Sequence, residues 1–132
     1  MNQKQEDYLI TMYRLYEKNK QIRSVDVAKQ LKISKASVSE MLKKFKKQKI
    51  INMNLYSNII FTSKGLNVAK KLAYKHRVVE VFLKKVLKCK SKNIHTEAHR
   101  LEHAFSDQAI KKLAKFLNNP KVCPDGDKIP KI

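Results

Sequence analysis

The chain has 132 residues, 42% of them hydrophobic, which is enough for one ordinary domain or two small ones and too apolar for wholesale disorder. Only 2 glycines and 3 prolines occur, which argues against a strand-rich fold, because such folds need many turn residues. A net charge of +19, from 30 Lys+Arg against 11 Asp+Glu, admits a polyanion such as nucleic acid as partner; nearly all of it is lysine spread over both halves, as an AT-rich coding bias would also give, so it does not locate a binding face.

Residues 6–18 carry Leu9, Met12, Tyr13 and Tyr16 at helical spacing and predict a first helix. Ser24 reads as the N-cap of a short helix over 25–31, with Ala28 and Leu31 facing inward. Ser34 reads as the cap of the next helix, about 35–48, whose apolar stripe is Val38, Met41, Leu42 and Phe45. Only Lys32, Ile33 and Ser34 separate the two helices, and two amphipathic helices across so short a turn are what a helix-turn-helix requires. Two β-rich runs follow, Ile50–Asn54 and Asn58–Thr62, around Leu55–Tyr56–Ser57, and read as a two-stranded wing. A long helix is expected over about 64–88, then two more over about 92–104 and 106–118. The tail from Asn118 holds all three prolines and reads as irregular.

The fold expected is therefore mainly α: an N-terminal winged helix-turn-helix over 1–63, then an all-helical domain over 64–132. In such a unit the second helix enters the major groove. Its first turn offers Lys35, Ala36, Ser37 and Ser39 to base edges, with Ser34 at the cap. Lys43, Lys44, Lys46, Lys47 and Lys49 are expected on phosphates, where they set register rather than sequence. Arg23, ahead of the reading pair, and Asn52, Asn54 and Asn58 of the wing are further candidates for DNA contact. The alternative for the lysine run is a solvated helix face; the ordered succession of helix, turn, capped helix and hairpin favours DNA.

The sharpest chemical signal is His95-x-x-x-His99-x-x-Glu102-His103. On a helix these positions share one face, and imidazoles with a carboxylate suit a borderline divalent ion such as Mn²⁺, Fe²⁺, Co²⁺ or Zn²⁺. Ile94, Ala98, Leu101 and Phe105 form an apolar stripe on the other side. His76 and Glu80 stand at i and i+4 on the preceding helix, so all four histidines of the chain fall in two spaced sets, each with a glutamate. Cys89 and Cys123 fit no disulfide framework and are expected as reduced thiols. No apolar run approaches the roughly 20 residues of a membrane span and no signal peptide opens the chain, so a cytoplasmic protein is expected, with no membrane partner and no small-molecule substrate.

Several motifs together resemble the diphtheria-toxin-repressor family of iron- and manganese-dependent regulators. They are Glu6-Asp7-Tyr8-Leu9, S-K-A-S-V-S at 34–39, F-T-S-K-G at 61–65, K-H-R-V-V-E at 75–80, H-T-E-A-H-R-L-E-H-A-F-S-D at 95–107, Cys123-Pro124-Asp125-Gly126 and Ile129-Pro130. The resemblance implies a homodimeric repressor acting on a double-stranded DNA operator, with Mn²⁺ or Fe²⁺ as the expected cofactor and Zn²⁺ or Co²⁺ as substitutes in vitro. It implies a metal site of Asp7, His99, Glu102 and His103, with Asp7 joining the DNA-reading half to the dimerisation half. A second site is implied at His76, Glu80 and His95, or, as in some manganese-type members, at Glu80 with Cys123 and Asp125. Dimerisation is expected on Ile94, Ala98, Leu101, Phe105, Ile110 and Leu113. The chain ends just after the tail motif, so the two-domain form without a C-terminal SH3-like domain is implied.

Two features depart from the family pattern: His99 stands where Cys or Glu is usual, and Ile10 where some manganese members carry an acid three residues after the first-helix Asp. The same residues admit three other readings. His99-x-x-Glu102-His103 is also the inverted zinc-peptidase motif, but no glutamate follows Glu102 to serve as a third ligand. A metal-independent winged-helix regulator would use its histidines as a pH sensor. A general basic architectural protein would bind DNA without regard to sequence or metal.

Overall fold

A computed structural model of the chain describes residues 1–54 and 58–132. It divides into two compact units, Met1–Lys70 and Lys71–Ile132.

In the first unit the order is α1 (Gln3–Asn19), β1 (Ile22–Arg23), α2 (Ser24–Leu31), α3 (Lys35–Lys47), β2 (Ile51–Met53) and β3 (Asn58–Phe61), followed by the start of α4 (Ser63–Lys85). Helix α1 begins earlier than its apolar spacing suggests because Asn2 and Gln5 form a reciprocal capping box, with Gln5 N–H donating to Asn2 Oδ1 at 2.9 Å. Its buried face, Tyr8, Leu9, Met12 and Tyr13, meets α3 through an edge-on contact of Tyr8 with Phe45 at 6.2 Å.

The cap expected at Ser24 is not there. Arg23 is the N-cap residue of α2, with no side-chain cap bond, because Arg23 is extended and paired with Asn58 in the sheet, so the helix starts at Ser24 itself. That pairing adds a strand that the apolar pattern does not announce. The sheet order is β1-β3-β2, all antiparallel, with Ile22 opposite Ile59 and Ile51 opposite Phe61. The turn expected at Leu55–Tyr56–Ser57 lies outside the described residues.

Helix α2 stops at Lys32, which adopts the left-handed conformation (φ 55°) that closes the turn. Helix α3 restarts under Ser34, whose hydroxyl oxygen accepts from Ser37 N–H at 3.1 Å. Val38, Met41, Leu42 and Phe45, all at 8% exposure or less, form the stripe that fixes its roll. The start of α4 is held by Thr62, whose Oγ1 accepts from Gly65 N–H at 3.0 Å and donates to Lys49 C=O at 2.7 Å. A Cβ at Gly65 would fall 1.9 Å from Ile50 O, so only glycine lets this turn approach the wing.

In the second unit the rest of α4 is followed by α5 (Ser91–Glu102) and α6 (Asp107–Phe116), each shorter than its apolar pattern suggests. Ser106 caps α6, its Oγ accepting from Ala109 N–H at 3.0 Å. Val78, Val79, Leu83, Ile94, Ala98, Ile110 and Ala114 form the core, and burial of each larger side chain contributes about 1.5–3 kcal/mol. Of the residues expected at a dimer interface, Ile94, Ala98 and Ile110 are thus buried within the protomer's own core, while Leu101, Phe105 and Leu113 are partly buried beside it. The tail is not wholly irregular: Val122 and Lys128 form an antiparallel bridge, and Cys123 N–H donates to Asp127 O at 2.9 Å. Among the described residues no helix is long and apolar enough to cross a membrane.

Candidate metal centre and nucleic-acid interface

Helix α5 sorts its side chains as its spacing requires. Ile94 and Ala98 enter the core, while His95 and His99 fall on the side that ends in Glu102. Glu102 is the last helical residue. His103 is the C-cap rather than a helical position, but its φ of −69° and ψ of −19° keep the helical direction, so its ring still follows His99. The two rings lie 5.2 Å apart edge to face. One ligand atom each from His99, Glu102 and His103 lies within 4.8 Å of the others.

These residues fit a divalent ion on local grounds. Glu102 is 2% exposed; its Oε2 lies 2.5 Å from His76 Nδ1, and its Oε1, although buried, has no hydrogen-bond partner among the described residues. That Oε1 is 3.5 Å from His103 Nε2. Metal–ligand bonds near 2.1 Å in tetrahedral array place donor atoms ~3.4 Å apart, so a shared ion suits this spacing and would satisfy the carboxylate oxygen.

A second cluster lies next to it. His76 Nε2 is 3.4 Å from Glu80 Oε1, and His95 Nδ1 is 3.8 Å from Glu80 Oε2. His76 and Glu80 are each 3% exposed, whereas the His95 side chain is 56% exposed. Glu80 also belongs to a third grouping with Cys123 and Asp125, all within 4.8 Å. Burial pulls the His76 imidazolium down, but the hydrogen bonds from Glu102 and Glu80 outweigh it and raise the group to about 9. Burial likewise pushes Glu80 up, and the His76 and His95 bonds overcome this and bring it to about 2. Burial raises the Cys123 thiol.

His76, Arg77, Glu80 and Glu102 are the buried polar side chains among the described residues of the second unit. Well-packed apolar replacements of such ionic clusters are often neutral or more stable by about 1–4 kcal/mol, so packing alone does not account for this one, and it is the candidate site of the second unit. Arg77 was missed by sequence reasoning, though it sits within K-H-R-V-V-E beside two assigned residues; its Nη1 donates to Lys128 C=O at 2.7 Å. Lys75, from the same motif, donates to Phe105 C=O at 2.8 Å. Asp7 is half-buried on α1, in the first unit.

On the reading helix, Lys35, Ala36, Ser37, Ser39, Lys43, Lys44 and Lys47 are all exposed, opposite the buried stripe. Not all expected contacts are equal. The Ser34 hydroxyl is engaged as the cap and donates to Ser37 Oγ at 2.9 Å. Arg23 pairs with Asp26 at 3.1 Å, and Asn54 Oδ1 accepts from Asn58 N–H at 3.0 Å at the end of the strand pair. Lys35, Lys43 and Lys46 line a groove of about 420 Å³ together with Val25, Ser39 and Met53.

Comparison with known proteins agrees in both units. The family described as iron dependent repressor, N-terminal DNA binding domain, matches residues 1–58, and its companion, iron dependent repressor, metal binding and dimerisation domain, matches 62–131. An uncharacterised HTH-type transcriptional regulator of Methanocaldococcus jannaschii is 36% identical over 92% of this chain and 98% of its own. The HTH-type transcriptional regulator MntR of Bacillus subtilis is 30% identical over 85% of this chain and 78% of its own. The solved structure of the manganese regulator SloR superposes with a TM-score of 0.84 at 40% identity over 96% of this chain; the match covers 59% of the SloR chain.

Proposed function

The chain belongs to the diphtheria-toxin-repressor family, a family of DNA-binding transcriptional regulators and not of enzymes, and from that premise we propose that it is a metal-activated repressor of manganese or iron homeostasis genes. The single observation that carries the metal half of this reading is Glu102. One carboxylate oxygen is held by His76, and the other is buried without a hydrogen-bond partner among the described residues, 3.5 Å from His103.

In this reading Asp7 completes the ligand set of His99, Glu102 and His103; the residue-by-residue resemblance supports it. A bound divalent ion supplies the charge that lets two carboxylates and two imidazoles converge. Asp7 precedes the reading helices and the other three belong to the dimerisation half. A shared ligand set therefore ties the orientation of α3 to the paired half and selects, from many head separations, one that matches two major-groove half-sites about one turn apart. Lys43, Lys44 and Lys47 hold phosphates, and Lys35, Ala36 and Ser39 face base edges. Leu101, Phe105 and Leu113 supply the protomer's share of the dimer contact. Its place of work is the cytoplasm, with the operator DNA.

Manganese is the favoured ion, because Asp7 is an oxygen ligand and SloR, described as a manganese regulator, is 40% identical. Glu80, with His76 and His95 or with Cys123 and Asp125, forms the second site. The test is operator binding by chelator-stripped protein and by protein loaded with Mn²⁺, Fe²⁺ or Zn²⁺. Tight binding only in the loaded forms is expected; equal binding by stripped protein would overturn the switch.

A further inference from the structure

Glu80 is shared between two groupings. Its Oε1 lies 3.4 Å from His76 Nε2 and its Oε2 lies 3.8 Å from His95 Nδ1, and the same carboxylate groups with Cys123 and Asp125. The imidazole seat is built on α4 and α5, whereas the thiolate seat depends on where the tail lies.

The tail from 121 to 129 is folded back as a small hairpin. Ile129 N–H donates to Lys121 O at 2.8 Å, Cys123 N–H to Asp127 O at 2.9 Å, and Gly126 takes the left-handed conformation (φ 89°) at its tip. Two attachments to the unit are in place. Ile129 packs against the core, and Arg77, itself 2% exposed, donates from Nη1 to Lys128 C=O at 2.7 Å. Arg77 stands one helical turn before Glu80 on α4. A guanidinium so deeply placed and joined to a backbone carbonyl 51 residues away fixes the hairpin against the helix that carries Glu80.

We propose that Arg77 is a positioning residue that holds the tail hairpin over α4 and so brings Cys123 and Asp125 to Glu80 as a thiolate–carboxylate seat; without it the seat loses its sulfur, and Glu80 keeps only the contacts it already makes with His76 and His95. This rests on the reading of the chain as a divalent-metal protein. The consequence is selectivity: a sulfur-containing seat favours softer ions than a nitrogen–oxygen seat does.

The experiment is a Co²⁺ titration of the full chain, because thiolate–cobalt bonding gives near-ultraviolet charge-transfer absorbance that imidazole and carboxylate ligands do not. The wild type should show that band, and Cys123→Ser should lose it while keeping the visible cobalt bands. Arg77→Gln should lose it too, with unchanged far-ultraviolet dichroism and cobalt affinity at this seat weakened about tenfold or more. Arg77→Lys keeps a cation and one donor, so it should retain the band at reduced affinity, and it carries the test if Arg77→Gln fails to fold. A sulfur band at wild-type affinity in the Arg77 variants would overturn the proposal, as would its absence from a cobalt-binding wild type. Absence of every cobalt band would instead refute the metal reading itself.

Discussion

His76 of α4 donates through Nδ1 to Glu102 of α5 over 2.5 Å, while its other ring nitrogen lies 3.4 Å from Glu80. One imidazole therefore joins the two clusters of ligand candidates, and a change at either is felt at the other. With both nitrogens facing carboxylates, the ring is an imidazolium in the metal-free chain, with its pKa raised to about 9.

That charge sets a pH dependence. The His76 contribution to the stability of the metal-free protein is complete below 6.5 and is lost as pH rises towards about 9. The Glu80 contribution is complete above 4.5 and is lost as pH falls towards about 2. Both are therefore whole between 4.5 and 6.5. Urea denaturation of chelated protein should show stability falling on the alkaline side of this window, and His76→Gln should remove that fall. An unchanged alkaline slope in the variant would assign it elsewhere.

His99→Ala and His103→Ala should each weaken Mn²⁺ binding by about tenfold or more and abolish metal-stimulated operator binding, leaving the helical dichroism intact. Asp7→Ala should do the same to operator binding if Asp7 closes the ligand set. Calorimetry and fluorescence anisotropy measure the two effects separately, and wild-type switching in Asp7→Ala would remove that residue from the site.

The lysines and serines of α3 should separate by role. Lys44→Ala and Lys47→Ala should each lower the salt slope of DNA binding by about one and weaken all sequences alike. Ser39→Ala should relax base preference at one operator position. Ser34→Ala should instead cost about 1 kcal/mol of stability, because its hydroxyl caps the helix. A sequence-specific defect in Ser34→Ala without loss of stability would reverse that assignment.

Phe105→Asp should convert dimers to monomers in sedimentation, since Phe105 is only partly buried within its own protomer. Ile94→Asp, at a site 3% exposed, should unfold the second unit instead. Dimers persisting in Phe105→Asp would take that side chain out of the interface.

Gly65→Ala should destabilise the first unit by about 2 kcal/mol or more, because the new methyl would meet Ile50 O at 1.9 Å and one backbone segment must move. A midpoint within error of wild type in thermal melts would show that the turn yields freely.

Local chemistry made much of this protein legible in its residues. Helical spacing placed the stripe Val38–Met41–Leu42–Phe45 and the His95, His99, Glu102 face, because a 3.6-residue period and a short-range cap such as Ser34 need nothing from distant chain. What was hidden depended on partners far along the chain. Strand β1 exists because Ile22 and Arg23 meet Ile59 and Asn58, and that pairing displaced the helix cap from Ser24 to Arg23. Arg77 reads as one more surface cation until it is buried against the carbonyl of Lys128. The bond between His76 and Glu102 follows from the packing of α4 on α5, which no spacing within either helix encodes. Periodicity reports which side of an element is apolar; packing sets which groups that side meets and how deeply water is excluded, and so shifts His76 and Glu80 in opposite directions.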